Sequence, residues 1–351
     1  MSTNKATLKD ISKAMNVSMT TIHRALHNKE GVSEKIREEI KRVAGEMGYR
    51  TNYVAASLKR KTVKFAIIIP EPTNENRYYY LCLWQGIRKF LDEVSEFNIE
   101  TLEFSYPLSV GSNGNKLKEV YEKHGDALDG ILTVGVNHNQ SKYFIEKFHD
   151  KNIPVVLIGA DLLKDKRLCC VKTYDHMAGS LAAELLTSFI EKSQNKKIML
   201  TGDMEMMDQY YNAEGFENYM RDNVPNIEII KVSNLKDEEV YLSIKEVLLR
   251  EKDIYAIYSC SARNTVQMCK VAIDLNMQNS LKLVGNDSFP ESIELLRQNI
   301  LNAIIHKRPN RQAYIAMKVL FDYVVKGEYP DSSTILINSL ITMKSNLDIC
   351  I

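Results

Sequence analysis

Residues 7–26 read TLKDISKAMNVSMTTIHRAL, and the fold of the amino-terminal part of the chain follows from them. Thr7 places a hydroxyl ahead of a helical apolar pattern, with Asp10 three residues on. That is an acidic version of the reciprocal cap that satisfies the free amides of a first helical turn. Leu8, Ile11 and Met15 then recur at helical spacing. Asn16 tolerates left-handed dihedral angles and marks a turn. Ser18 caps a second helix that turns Ile22, Ala25 and Leu26 inward. After the loop HNKEG, Ser33 caps a third helix with Ile36, Ile40, Val43 and Met47 on one face, and Gly48 ends it. Two short helices across a tight turn, buttressed by a third, predict a helix-turn-helix unit.

Outward from that unit the charge is uneven. Over the whole chain, 46 Lys and Arg stand against 45 Asp and Glu, a formal net of +1. Residues 1–64 hold 14 basic and 6 acidic side chains, so the rest of the chain is net negative. A basic end on an acidic body points to an anionic polymer bound at that end alone. The second helix of such a unit lies in the major groove of DNA, its amino-terminal side chains on base edges and its flanks on phosphates. Met19, Thr20 and Arg24 are the candidates for bases, and Thr21 and His23 for phosphates. Thr7, Ser18 and His27 complete the headpiece contacts expected with DNA.

From Val63 onward the pattern changes to apolar strand-like runs separated by amphipathic helical stretches. The runs fall at 63–70, 99–106, 129–135 and 154–160, then at 197–203, 227–232, 253–260 and 282–287. Alternation of this kind predicts parallel sheets with crossover helices, and the number of runs suits two of them. The fold class expected is α/β: an all-α helix-turn-helix headpiece at 1–50, then a two-lobed body of parallel sheets flanked by helices at 63–351. Ligands in such sheets bind beyond the carboxyl ends of the strands, which places a site between the lobes. Residues 51–62, TNYVAASLKRKT, join the two parts. They are short, basic and unable to form a stable helix alone, but able to fold when held on DNA.

The run at 7–26, followed by GVSEKIREEIKRVAGEMGYRTNYVAASLK, resembles the headpiece and hinge of the LacI/GalR family of bacterial transcriptional regulators. DGILTVG, PVVLIGAD, TYDHMAG, AEGF, LVGND and HKRPNRQAY follow in the order of that family's effector domain. The resemblance implies a periplasmic-binding-protein-like body and a homodimer on a pseudo-palindromic double-stranded operator, acting as a repressor. It also implies that Leu58 wedges into the minor groove at the operator centre, with Asn52, Ser57 and Lys59 around it. Lobes are expected at about 63–163 with 305–331, and at about 164–304 with 332–351. Two positions depart from the family pattern: Thr51 stands where proline is usual, and His23 where serine is usual.

Carried over in the same way, Tyr79 and Tyr80 form an aromatic wall of the effector site. Asp175 and Asp287 accept hydrogen bonds from hydroxyls or amines of the ligand, which suits a sugar or a nucleoside-like molecule. An exposed turn after Arg77 is the other reading of the tyrosines, and capping of the next helix the other reading of Asp287. Several usual polar contacts are replaced. Asn212 stands in place of an arginine that forks onto the ligand, Gly159 and Ala262 in place of aspartates, and Lys307 in place of a glutamine. Loss of the arginine removes the strongest charge-assisted contact in such a site.

Other functions find less support. The seven histidines form no metal-like spacing, and the cysteines Cys82, Cys169, Cys170, Cys260, Cys269 and Cys350 form no CxxC pair. No cofactor, metal or catalytic set is expected, and GEMGYR is not a phosphate loop. The first residues lack the apolar core of a signal peptide, and nothing approaches the roughly 20 apolar residues of a membrane span. A cytoplasmic regulator without an enzyme activity is the expectation. Its rivals are a small-molecule binding protein of the same two-lobed fold, and a DNA-binding regulator whose pocket is vestigial or reads a partner protein.

Overall fold

The computed structural model describes residues 6–26, 30–49, 61–73, 77–189, 197–233 and 237–350. The headpiece comprises helices α1 (Leu8–Met15), α2 (Met19–Leu26) and α3 (Glu34–Glu46). Thr7 and Asp10 exchange the two bonds of a capping box, and Asn16 closes α1 in the left-handed region at φ 51°. Ser18 Oγ accepts from the Thr21 amide at 3.1 Å, which caps α2. Ile11, Ile22, Ala25, Ile40 and Ala44 form the small core.

Two expectations for α3 are corrected. Ser33 occupies the cap position without making a side-chain capping bond. Ile36 is 42% exposed, and its place on the inward face is taken by Arg37. The Arg37 guanidinium donates to the carbonyls of Arg24, Ala25 and Val32 and pairs with Glu34. Those carbonyls lie at and beyond the carboxyl end of α2, where helical partners run out. Their need for donors decides the rotation of α3.

The body holds two six-stranded sheets. The first contains β1 (Val63–Pro70), β2 (Ile99–Tyr106), β3 (Gly130–Gly135), β4 (Val155–Gly159), β5 (Cys169–Thr173) and, at its edge, β11 (Thr334–Ile337), all in parallel pairs. The second contains β6 (Lys197–Gly202), β7 (Glu228–Ser233), β8 (Ile254–Ser259), β9 (Lys282–Asn286) and β10 (Ala303–His306), with β12 (Leu340–Thr342) antiparallel on β10. Phe65 to Ile69 in β1 are fully buried on both faces, as strands covered by helices must be.

Four strands go beyond the eight runs seen in the sequence: β5, β10, β11 and β12. Two of them move the lobes. β5 and β11, expected in the second lobe, are hydrogen-bonded into the first sheet. The chain therefore passes between sheets after Thr173, after His306 and between Ile337 and Leu340. Each passage lies next to the ends of strands whose carboxyl ends face the cleft.

Four helices position the site. Helix α4 (Arg77–Glu93) packs on α12 (Pro309–Phe321), and Trp84 Nε1 donates to the Pro70 carbonyl at 3.3 Å. A Cβ on Gly86 would sit 2.0 Å from the Asn310 carbonyl oxygen, so only glycine permits this approach. Helices α7 (Asp175–Thr187) and α8 (Met207–Asn223) cross as closely at Gly179 and Gly215. The remaining helices of the body are α5 (Ser112–His124), α6 (Asn139–Asp150), α9 (Asp237–Arg250), α10 (Ala262–Asp274), α11 (Pro290–Arg297) and α13 (Leu347–Cys350). No described helix is long and apolar enough to cross a membrane.

Candidate functional site

On the headpiece, Ser18, Met19, Thr20 and Arg24 are exposed around the amino-terminal part of α2, while Thr21 and His23 are half-buried. Thr20 and Arg24 are four residues apart and share one face. Thr7 lies exposed at the start of α1. The expected contacts His27, Asn52, Ser57, Leu58 and Lys59 lie outside the described residues.

In the body, the passages between the sheets bring together side chains far apart in sequence. Tyr79 and Tyr80 lie on the first turn of α4, half-buried, and meet edge to face with ring centroids 5.3 Å apart. They are not on an exposed turn. Asp175 opens α7 just beyond β5 and accepts from Thr173 Oγ1 at 3.1 Å. Asp287 follows β9 in the left-handed region at φ 62°, and its carboxylate accepts from the Lys307 amide at 3.2 Å. Its carbonyl, not its carboxylate, serves Ser292 on α11. Lys307 follows β10, and its ammonium lies 3.2 Å from Asp208 Oδ2 on α8. Gln312 Nε2 donates to the Lys307 carbonyl at 3.0 Å, and the Tyr79 hydroxyl approaches Gln312 Oε1.

Asn212 is fully buried, one helical turn deeper than Asp208. Its Oδ1 accepts from the Tyr258 hydroxyl at 2.6 Å, and Asn286 Nδ2 donates to the same hydroxyl at 2.9 Å. The residue in the arginine position thus belongs to a polar floor under the cleft. Asn212 Nδ2, Asn286 Oδ1 and Ser288 Oγ are buried there without a hydrogen-bond partner. Tyr258, Asn286 and Asp208 escaped the sequence reading. For Asp208 the signal existed, since it stands four residues before Asn212 on one helical face.

The electrostatics follow from burial. Desolvation pushes the Asp287 carboxyl up to about 6, against the pull of Lys307. Asp175 is raised for the same reason. For Lys307 burial disfavours the charged form, yet Asp208, Asp175 and Asp287 outweigh it and hold the ammonium above its ordinary value. Burial raises the hydroxyls of Tyr79 and Tyr80, with the nearby carboxylates adding to the effect. Cys82, half-buried one turn along α4, has its thiol pushed up to about 11 by burial and by the Asp287 charge. Such a cleft offers fixed acceptors, one committed ammonium and aromatic faces. Binding a small polar molecule is what it can do. Among the described residues no group of His, Cys, Asp and Glu could hold a metal ion.

A helix-turn-helix unit ahead of two sheets enclosing a polar cleft defines a DNA-binding regulator built on a small-molecule-binding fold. Comparison with known proteins makes the class particular. The family model for bacterial regulatory proteins, lacI family, matches residues 7–52, and that for the periplasmic binding protein domain matches residues 122–328. The chain belongs to the LacI family of bacterial transcriptional regulators. It is similar to the HTH-type transcriptional regulator pepR1 of Lactobacillus delbrueckii subsp. lactis, at 22% identity over 99% of this chain and 100% of that one. Catabolite control protein A of Staphylococcus xylosus is 24% identical over 94% of this chain and 96% of its own. In fold the body is similar to GanP, a glucose-galactose binding protein from Geobacillus stearothermophilus. The TM-score is 0.69 at 22% identity, over 82% of this chain and 99% of that one.

Proposed function

We propose that this regulator binds a pseudo-palindromic operator as a homodimer and that a small sugar-like molecule in the cleft sets its affinity for DNA. Residues 1–50 would read the duplex, 51–62 would form the hinge and 63–351 would hold the effector. The observation that carries the reading is the exposed Met19, Thr20 and Arg24 on α2, presented by a small buried core in the basic end of the chain. Thr21 and His23 would hold phosphates, Thr7, Ser18 and His27 would add further DNA contacts, and Leu58 would enter the minor groove with Asn52, Ser57 and Lys59 around it. In the cleft, Tyr79 and Tyr80 would face the ligand while Asp175, Asp287 and Lys307 bond its polar groups, with Asn212 below. A ligand that prefers one lobe arrangement shifts DNA affinity by its differential binding energy. Acting on an operator, the protein would work in the cytoplasm.

The test is selection of duplexes from a random pool, followed by titration of the winner at several salt concentrations. A steep log–log salt slope and preference for a palindrome are expected, because two headpieces place several Lys and Arg on phosphates. Equal affinity for random duplex would end the reading. Arg24→Ala should cost about 1–3 kcal/mol on the selected site and far less on random DNA if Arg24 reads a base. Equal losses would assign it to phosphate.

A further inference from the structure

We propose that the molecule taken by the cleft carries a protonated amine beside its hydroxyl groups, because three carboxylates, Asp175, Asp208 and Asp287, there share one buried ammonium, Lys307. This rests on the reading that the cleft is the effector site. Asp175, Asp287 and Lys307 are 6%, 6% and 4% exposed. Lys307 meets Asp208 directly at 3.2 Å, and the other two carboxylates act on it through space. Lys172 also acts on Asp175. With both lysines counted, three negative charges face two positive ones. Asp175 and Asp287 are far from water and need a counter-charge; Lys307 is already paired with the half-exposed Asp208, and a ligand cation supplies what is missing.

Hydrogen-bonding capacity calls for an amine together with hydroxyls, because Asn212 Nδ2 and Ser288 Oγ are unpartnered there beside the acceptors. Ionised carboxylates only accept, and Asn286 Oδ1 beside Asp287 is a fully buried acceptor with no partner. An ammonium is the complementary group, since it brings three donors and no acceptor. Lys307 shows the pairing already made once inside the cleft. The nearby arginine Arg77, which would greet an anion, is held by Glu291 at 2.6 Å. A phosphate or carboxylate on the ligand would instead meet like charges, and a neutral sugar would leave the charge uncompensated.

The experiment uses the full chain and matched sets differing only in charge. One set is D-glucosamine, D-glucose and D-glucuronate, a second D-galactosamine, D-galactose and D-galacturonate, and an acyclic one putrescine, 1,4-butanediol and succinate. Each compound is followed by thermal shift and calorimetry. An amine member should bind at least tenfold tighter than its neutral partner, and the acids not at all. Asp208→Asn should then weaken the amine at least tenfold while moving a neutral compound by less than twofold. Asp208→Asn removes the ion-pair partner of the buried Lys307, so circular dichroism and the unfolding midpoint of the variant are read first, and the comparison between amine and neutral compound is made on the folded variant. A neutral or acidic member that binds as well as its amine, or silence from every amine, would overturn the proposal. DNA affinity is read in parallel on the selected duplex. An amine that binds without changing DNA affinity leaves the ligand class standing and removes the effector reading instead.

Discussion

Burial moves Asp287 and His306 from their ordinary titration ranges, and the two act on stability in opposite senses. The Asp287 carboxyl is raised from 3.8 to about 6, so below that pH the folded state takes up a proton that the unfolded state does not. Stability from this group rises as pH falls through about 6 and levels off near 4, a gain of about 3 kcal/mol. His306 is lowered from 6.5 to about 4 by burial and by Arg308, so in the same window the unfolded state binds the extra proton. Its contribution is present above about 6.5 and is lost as pH falls toward about 4, by about 3 kcal/mol. Urea titrations of the parent from pH 7 to 4 should therefore show little net slope from these two residues. Asp287→Asn should lose stability steeply over that window, and an unchanged profile would show that Asp287 titrates normally. Neither residue carries a sequence mark of its burial. Asp287 was visible as a candidate residue through LVGND, while His306 is set apart only by the neighbours that β10 and the Ser288 amide give it.

Helices that meet at glycine fix the cleft walls. A Cβ on Gly179 would lie 1.8 Å from the Asn212 carbonyl oxygen, and one on Gly215 would lie 2.1 Å from that of His176. Gly179→Ala should force α7 and α8 apart and cost about 1–3 kcal/mol by thermal or denaturant unfolding. Ligand affinity should fall with it, because α7 opens with Asp175 and α8 carries Asp208. In the headpiece, Arg37→Met strips donors from carbonyls at the end of α2 and should cost about 1–3 kcal/mol, followed by circular dichroism. How far the elements could be read from sequence depends on how local their causes are. Thr7, Asp10 and Asn16 settle α1 by themselves, and the apolar run of β1 needs no partner to be recognised. Arg37 was invisible because only the carbonyls of another helix make its burial favourable. The strands β10, β11 and β12 have 4, 4 and 3 residues, too short for a pattern to declare itself. CCVKT in β5 gives no sign of which sheet receives it, so the lobe boundary fell too early.

Among the described residues three passages of chain join the lobes, and the exposed pair Arg77–Glu291 reaches from one to the other. Arg77 of α4 lies over the Tyr78 ring and reaches Glu291 of α11, while Tyr78 packs against Phe289 at 4.1 Å between centroids. Exposed pairs contribute about 0–1 kcal/mol, so Glu291→Gln should barely move the unfolding midpoint. The same fraction of a kcal/mol acts between two lobe arrangements as well, where it changes their populations severalfold. Small-angle scattering of the variant should show a larger radius of gyration than the parent, and identical curves would mean that the pair does not hold the lobes together.

Cys82 gives that motion a chemical clock. Cys169, Cys170, Cys260 and Cys269 are buried, whereas Cys82 is only half-buried, one turn along α4 from the tyrosines and within reach of the Asp287 charge. A thiol attacks only as its thiolate, and one held near 11 reacts sluggishly at neutral pH. Separation of the lobes takes the Asp287 carboxylate away from this thiol, and that change speeds its reaction with a disulfide reagent. In a chain with its other cysteines replaced by serine, the rate at which this thiol releases a chromophore should rise when the lobes part.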